Sequence, residues 1–489
     1  LSQSSTPLAH RDLNMRSVQI SPILMAVVLL CAGNAQATGQ NPKHAVRTDH
    51  LAAGATKPTV QISNPPEAIA HAALTRKPSV DVHGVPDFAS PAIVTLKRDA
   101  VVTVTGQQGL WLHVTLADGK SGFVRVNDVR MRYASKETGG TMKALFTGKA
   151  GKGRVSETAG VRGLDENDLK AAAFDAMQLA KLESYRVTAV AAAQVASSRG
   201  WHSTNVAYAT EFKPKLTAGN SQSTHGERRG ILGAARGLLS TLGSNVGGGV
   251  LGVADKVIPK SEQEITEEER ALGPEIAGRI LGAAPLWKDA AAQRRINVIG
   301  RWEASQTSRP DLPWTFGIID SSEINAFAAP GGYILVTRGL YQLLSDDAEI
   351  AAVLGHEISH IVQRDHYEVI HKQEMQNAGT QLAMNHVGGG GNLAASFAKD
   401  YVAKHGAMVM MTSLDRGAEY RSDEAAAYYL ARAGFNPLAL YAVLQKMTAL
   451  GAQSAKLAQL YKTHPPLDER MDHIDRNGYK GVEQYTSRE

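Results

Sequence analysis

Cysteine is almost missing: Cys31 is the one example in 489 residues. It falls inside a segment that reads as removable, so the remaining chain can carry no disulfide. That suits an oxidising compartment without requiring one. Long apolar runs are also missing. Ile23–Leu30 is too short to span a bilayer. The Gly-rich stretch 216–260 is interrupted by Arg236 and Asp255, and the Met-rich stretch after residue 371 by Lys399, Asp400 and Lys404. Neither reads as a transmembrane helix. Charge of one sign is not in excess either. Lys and Arg number 52 against 47 Asp and Glu, a net +5. No dense basic patch is interleaved with aromatics, so nucleic acid is not a predicted partner.

What is present divides the chain. Met15-Arg16, the apolar run Ile23–Leu30 and Ala35-Gln36-Ala37 have the order of a secretory signal peptide. Residues 1–37 are therefore expected to be a signal region starting at Met15 and cleaved near Ala37, which implies a periplasmic protein. Leu30 is bulky for a lipid-attachment site at Cys31. Residues 38–77 are polar and rich in Pro and Ala, and read as a linker. In 78–131, Val101–Val104, Leu110–Leu116 and Phe123–Val126 are strand-like, with Asp118-Gly119 as a tight turn. Residues 140–215 contain an Ala-rich helical run from Leu164 to about Ser198, expected to be a helical spacer or a substrate-gathering surface. Residues 216–260 read as a second linker. The last segment, 261–489, alternates helical and strand patterns: Glu264–Leu281 as a helix, Trp314–Ile319 and Tyr333–Thr337 as strands.

That last segment holds the chemistry. Gly355-His356-Glu357-Ile358-Ser359-His360 reads HExxH. The apolar run Ala348–Leu354 before it is helical in pattern, so the motif sits on a buried helix. Four helical residues turn a side chain through about 400°, so His356 and His360 share a face about 40° apart. Two neutral imidazoles there can hold one Zn²⁺, and Glu357, one step round, can serve as general base.

Two plans for a third ligand are open. One uses His366, ten residues after His356. That plan needs a glycine to break the helix, and Gln363 occupies the position. Ile361–Arg364 reads as helix continuation, which would carry His366 about 15 Å along the axis and off the face. The other plan uses Glu419, with Asp423 one turn later, on a helix expected to stop at Gly434 before Asn436-Pro437. Glu419 would complete a His-His-Glu set, leaving one position open as in catalytic zinc sites. Asp423 would accept the second N–H of a ligating histidine.

With these motifs on the page, the stretch 261–476 resembles peptidase family M48, the gluzincins. The resemblance rests on Ile265–Gly273, Asn325–Ile334, HExxH, Arg416-x-x-Glu419-x-x-x-Asp423 and Thr463-His464-Pro465-Pro466-Leu467-Asp468-Glu469-Arg470, in the family's order. It implies a mainly α, α+β metallopeptidase domain with one zinc per chain, held by His356, His360 and Glu419. It implies Glu357 as general base, and His464 and Arg470 as oxyanion stabilisers, although in some relatives the histidine takes the fourth zinc position and holds the enzyme latent. It also implies that substrate adds as an extended strand along Asn325–Ile334. The soluble periplasmic members are the most similar, with misfolded envelope proteins as plausible substrates. Residues 78–131 resemble a bacterial SH3-like barrel, through Pro86-Asp87-Phe88, Gly109-Leu110-Trp111 and Asp118–Val124. Such modules often bind cell-wall peptides, so peptidoglycan is a candidate partner; a small barrel that merely positions the protease is the equal alternative. The competing expectation is a latent or chaperone-like protein anchored to the cell wall. The Met-rich interval 371–417 is expected to be either a mobile lid over the zinc or ordinary core filler.

Overall fold

A computed structural model describes residues 71–132, 164, 166–213, 262–373, 407–451 and 454–488. The expected signal region, most of the first linker, the Gly-rich stretch 216–260 and the centre of the expected lid lie outside the described residues.

Alternating apolar positions build the first part. Strands β1 (His71–Thr75), β2 (Ser79–His83), β3 (Ala92–Lys97), β4 (Val101–Gln108), β5 (Trp111–Thr115), β6 (Ser121–Arg125) and β7 (Val129–Met131) form one sheet in the order β3-β2-β6-β5-β4-β1-β7. All its pairings are antiparallel. Every second residue points inward, so Val80, Val82, Val102, Val104, Val114 and Val124 make the core. Gly119, at φ +85, makes the turn between β5 and β6. The sheet begins at His71, inside the stretch read as linker. β1 is Ala-rich and carries little strand signal of its own. It exists because β4 and β7 pair with it on either side.

The expected helical spacer is three short helices, α1 (Glu166–Ala171), α2 (Ala176–Glu183) and α3 (Ala189–Ser198). The side chains of Asp175 and Thr188 cap α2 and α3 by accepting from Gln178 N and Ala191 N. This segment does not space two units apart. Leu182 is buried with Ile276, Ile280 and Tyr333, and Ala192 and Ala196 with Ile296 and Ile299. Its apolar faces complete the cores of the helical part that follows.

That part consists of α4 (Glu262–Ala283), α5 (Ala290–Ala304), β8 (Thr315–Ile319), β9 (Ala326–Ala329), β10 (Tyr333–Thr337), α6 (Arg338–Leu343), α7 (Asp347–Gln363), α8 (Arg416–Ala433), α9 (Ala439–Ala449), α10 (Leu460–Thr463) and α11 (Leu467–His473). β10 lies between β8, to which it is parallel, and the edge strand β9. Pro330-Gly331-Gly332 turns β9 into β10. Gly331 is at φ +78, and a Cβ there would lie 2.3 Å from Glu269 O, so only glycine fits. α7 packs across α8, with Gly355 against Ala426.

The sheet docks on the helical part rather than hanging from it. Leu438 and Ala442 enter the sheet's core. Gln445 on α9 accepts from Met131 N at 2.9 Å and donates to Val126 O at 3.0 Å and Val129 O at 2.6 Å. No helix among the described residues is long and apolar enough to cross a membrane.

Candidate metal centre

Helix α7 starts where Asp346 accepts from Glu349 N at 2.8 Å. One turn separates His356 from His360, and their Nε2 atoms face each other at 3.2 Å with rings at 88°. The helix then stops. Arg364 adopts φ +64, and its N–H bonds back to the carbonyls of His360 and Ile361. This corrects the expectation that α7 continues. The physical reason is the Arg364 side chain, drawn to Glu262, Thr266 and Glu269 on α4. The reversal brings the His366 ring within 5.5 Å of His360 rather than far along the axis. His366 Nδ1 is buried and has no hydrogen-bond partner.

Helix α8 starts where Asp415 accepts from Ala418 N at 2.9 Å, and Gly434 ends it at φ +90. Glu419 in its first turn and Asp423 one turn on point toward α7. Ligand atoms from His356, His360, Glu419 and His464 lie within 4.8 Å of one another. Glu419 Oε2 lies 3.6 Å from His356 Nε2 and 3.7 Å from His464 Nε2, and Oε1 lies 3.7 Å from His360 Nε2. Oε2 is buried without a hydrogen bond. Three imidazole nitrogens around an unsatisfied carboxylate oxygen offer a divalent cation a ligand set, and nitrogen with carboxylate suits zinc.

Each histidine is held from behind. His356 Nδ1 meets Asp423 Oδ1 at 2.9 Å, His360 Nδ1 meets Asp365 Oδ2 at 2.9 Å, and His464 Nδ1 meets Thr463 Oγ1 at 2.8 Å. A proton on Nδ1 of His356 and His360 leaves Nε2 free to bind a cation. Asp365 is braced in turn by Arg421 at 2.9 Å, and Ser422 Oγ stands 3.1 Å from His360 Nδ1. Sequence reading missed Asp365, Ser422 and Thr463. Asp365 follows His360 closely, but it reaches the ring only because the helix breaks at Arg364.

Arg470 pairs with Asp423. It is buried, donating from Nε to Asp423 Oδ2 at 3.0 Å and from Nη2 to Oδ1 at 2.5 Å. Two of its nitrogens are thus committed to Asp423. Nη2 also lies 3.3 Å from His356 Nδ1, a contact between two donors when that nitrogen is protonated.

Charge follows this arrangement. Burial opposes ionisation of Glu419, but His464, His356 and His360 outweigh it and hold its pKa well below the usual value. Asp423 is likewise lowered, burial being overcome by Arg470 and His356. Burial and Arg470 would depress His356, yet the neighbouring carboxylates of Asp423 and Glu419 lift it to about 9. Burial pushes His464 down to about 3 against the pull of Glu419. Glu357 is raised by burial, partly offset by His356 and His360.

Glu357 is outside the ligand cluster but lines both flanking cavities. One cavity runs between Ala326, Ala328, His366 and Met410, and the other under Leu440, Leu444, Met447 and Arg470. The edge strand β9 therefore lines the first of these cavities beside the centre.

Buried histidine and glutamate side chains converge from two helices, with a spare carboxylate beside the first histidine, as a candidate metallopeptidase centre. Residues 290–477 match the model of peptidase family M48. The chain is similar to a beta-barrel assembly-enhancing protease of Yersinia pestis, 28% identical over 213 residues, covering 42% of this chain and 43% of that protein. It is also similar to the mitochondrial metalloendopeptidase OMA1 of Arabidopsis thaliana, 30% identical over 154 residues, or 32% and 29% of the two chains. With the metalloprotease LoiP of Escherichia coli it shares 26% identity over 172 residues, 35% of this chain and 65% of that one. The match thus spans less than half the length of the first of these relatives.

Proposed function

We propose that the chain is a periplasmic zinc endopeptidase that cuts extended segments of envelope proteins. The observation that carries this reading is the convergence of His356, His360, Glu419 and His464 with Glu357 free beside them. The names of the relatives, a beta-barrel assembly-enhancing protease among them, support envelope proteins as the substrate class. Secretion rests on the signal pattern around Ile23–Leu30.

His356, His360 and Glu419 would hold the ion, one per chain. When bound, zinc would supply a Lewis acid for the scissile carbonyl and for water. Glu357 takes a proton from the attacking water and delivers it to the departing amine. Substrate backbone pairs with the free edge of β9, giving affinity with little dependence on side chains. Asp423 and Asp365 fix the ring orientations of His356 and His360. His464, when turned from the ion, stabilises the oxyanion. Arg470 acts chiefly by holding Asp423. Casein hydrolysis by the zinc-loaded protein, abolished in Glu357→Gln with metal content retained, tests this reading. Equal activity of both proteins overturns it.

A latent state is a second reading, favoured by the presence of His464 within the ligand cluster, which would close the position that a substrate needs. The seven-stranded sheet is, in this reading, an SH3-like barrel serving as a cell-wall anchor. Sedimentation with peptidoglycan tests that role.

A further inference from the structure

Arg130 on β7 lies outside the peptidase-family match, yet its guanidinium is buried against the elements that frame the site. Its Nε donates to Tyr441 Oη at 3.1 Å, and Nη1 donates to Asp468 O at 3.3 Å. Nη1 also pairs with Asp472 at 3.0 Å, and Nη2 with Asp475 at 2.7 Å. Asp468 and Asp472 flank Arg470 on α11. That helix has seven residues, no side-chain cap at its start, and a π-helical turn, Ile474–Gly478, at its end. So short an element does not fix its own geometry. Its Arg470 nevertheless has to meet Asp423 in a two-point fork, and Asp423 has to meet His356. A second contact reaches the other half of the centre. Gln107 on β4 donates to Glu349 Oε1 at 3.1 Å in the first turn of α7, where Ser345 N and Lys446 also bind that carboxylate.

We propose that the sheet is a working part of the peptidase centre, and that Arg130 is a positioning residue clamping α11 so that Arg470 and Asp423 orient His356. The proposal rests on the peptidase reading for its activity arm and on metal geometry for the other. Asp472 and Asp475 are partly exposed, so the clamp contributes geometry more than stability.

The test uses the full chain with Arg130→Ala, Arg130→Lys and Asp475→Asn, and Val102→Ala as a destabilised sheet variant outside the clamp. Activity is read on a quenched-fluorescence peptide. Ligand geometry is read from the visible spectrum of the cobalt-substituted protein. Arg130→Ala is expected to lower kcat about tenfold at unchanged KM and to alter the cobalt spectrum. Arg130→Lys should recover part of both, Asp475→Asn should show a smaller loss, and Val102→Ala should match wild type per folded molecule. Combining Arg130→Ala with Arg470→Lys should cost less than the sum of the two. An unchanged kcat and spectrum in Arg130→Ala overturns the clamp, as does an equal loss in Val102→Ala. If Arg130→Ala does not fold, Asp475→Asn decides by the same two readouts. A wild-type protein that cuts nothing, but whose cobalt spectrum still depends on Arg130, overturns the peptidase reading and leaves the clamp standing.

Discussion

Asp423 lies between His356 Nδ1, 2.9 Å away, and the fork of Arg470. One carboxylate thus fixes a ligand and neutralises a buried cation together. Asp423→Asn should therefore have two effects. Zinc affinity should fall about 10–100-fold, measured by competition with a chromogenic chelator. Stability should fall by about 3 kcal/mol in urea unfolding, because Arg470 is left buried without its counter-charge.

Glu357 is outside the cluster of ligand atoms. Glu357→Gln should keep full zinc content by elemental analysis while hydrolysis drops by about 10²–10⁴-fold. Loss of metal in this variant would place Glu357 among the ligands instead.

The two imidazole Nε2 atoms stand 3.2 Å apart with Glu419 beside them. A cation satisfies all of these groups together, so chelation should lower the thermal midpoint and added zinc should restore it. At about a hundredfold excess over Kd the stabilisation is about 2.7 kcal/mol. Glu419→Gln should blunt the difference between the metal-free and metal-loaded proteins.

Glu303 is fully buried behind α7, and neither carboxylate oxygen has a hydrogen-bond partner. A Cβ on Gly355 would lie 2.6 Å from its Oε1. Burial raises its pKa well above the usual 4.5, so folding favours the protonated form. The sign follows: stability is fully present below the unfolded-state value and is lost as pH rises toward the folded-state value. The loss is at most about 1.4 kcal/mol per pH unit. Glu303→Gln keeps the shape without the titration. Melting curves from about pH 5 to about pH 9 should diverge, with the variant gaining on wild type at high pH. Parallel curves would show that Glu303 ionises freely.

The two helices of the centre were legible because their signals are local. HExxH, the Glu419–Asp423 spacing and the stop at Gly434 each lie within one turn or two. The strands β8 and β10 were legible for the same reason. β1 was not, since His71–Thr75 becomes a strand only through partners far along the chain. The end of α7 was hidden likewise. Arg364 leaves the helix under the pull of Glu262 and Glu269, about a hundred residues earlier, as the contact separations of 102 and 95 show. Once that break is missed, His366 is misplaced and Asp365 is overlooked. The family resemblance supplied His464 and Arg470, but not that Arg470 spends two nitrogens on Asp423.

Gln445 gives both ends of its amide to the sheet, and Leu438 and Ala442 lie in the sheet's core. A shortened protein beginning at residue 261 would bare a greasy face on α9 and strand a polar group there. It should be sticky in solution. The smallest piece worth expressing, or grafting into another protease, therefore starts upstream of His71, although the family signature begins more than two hundred residues later, at 290.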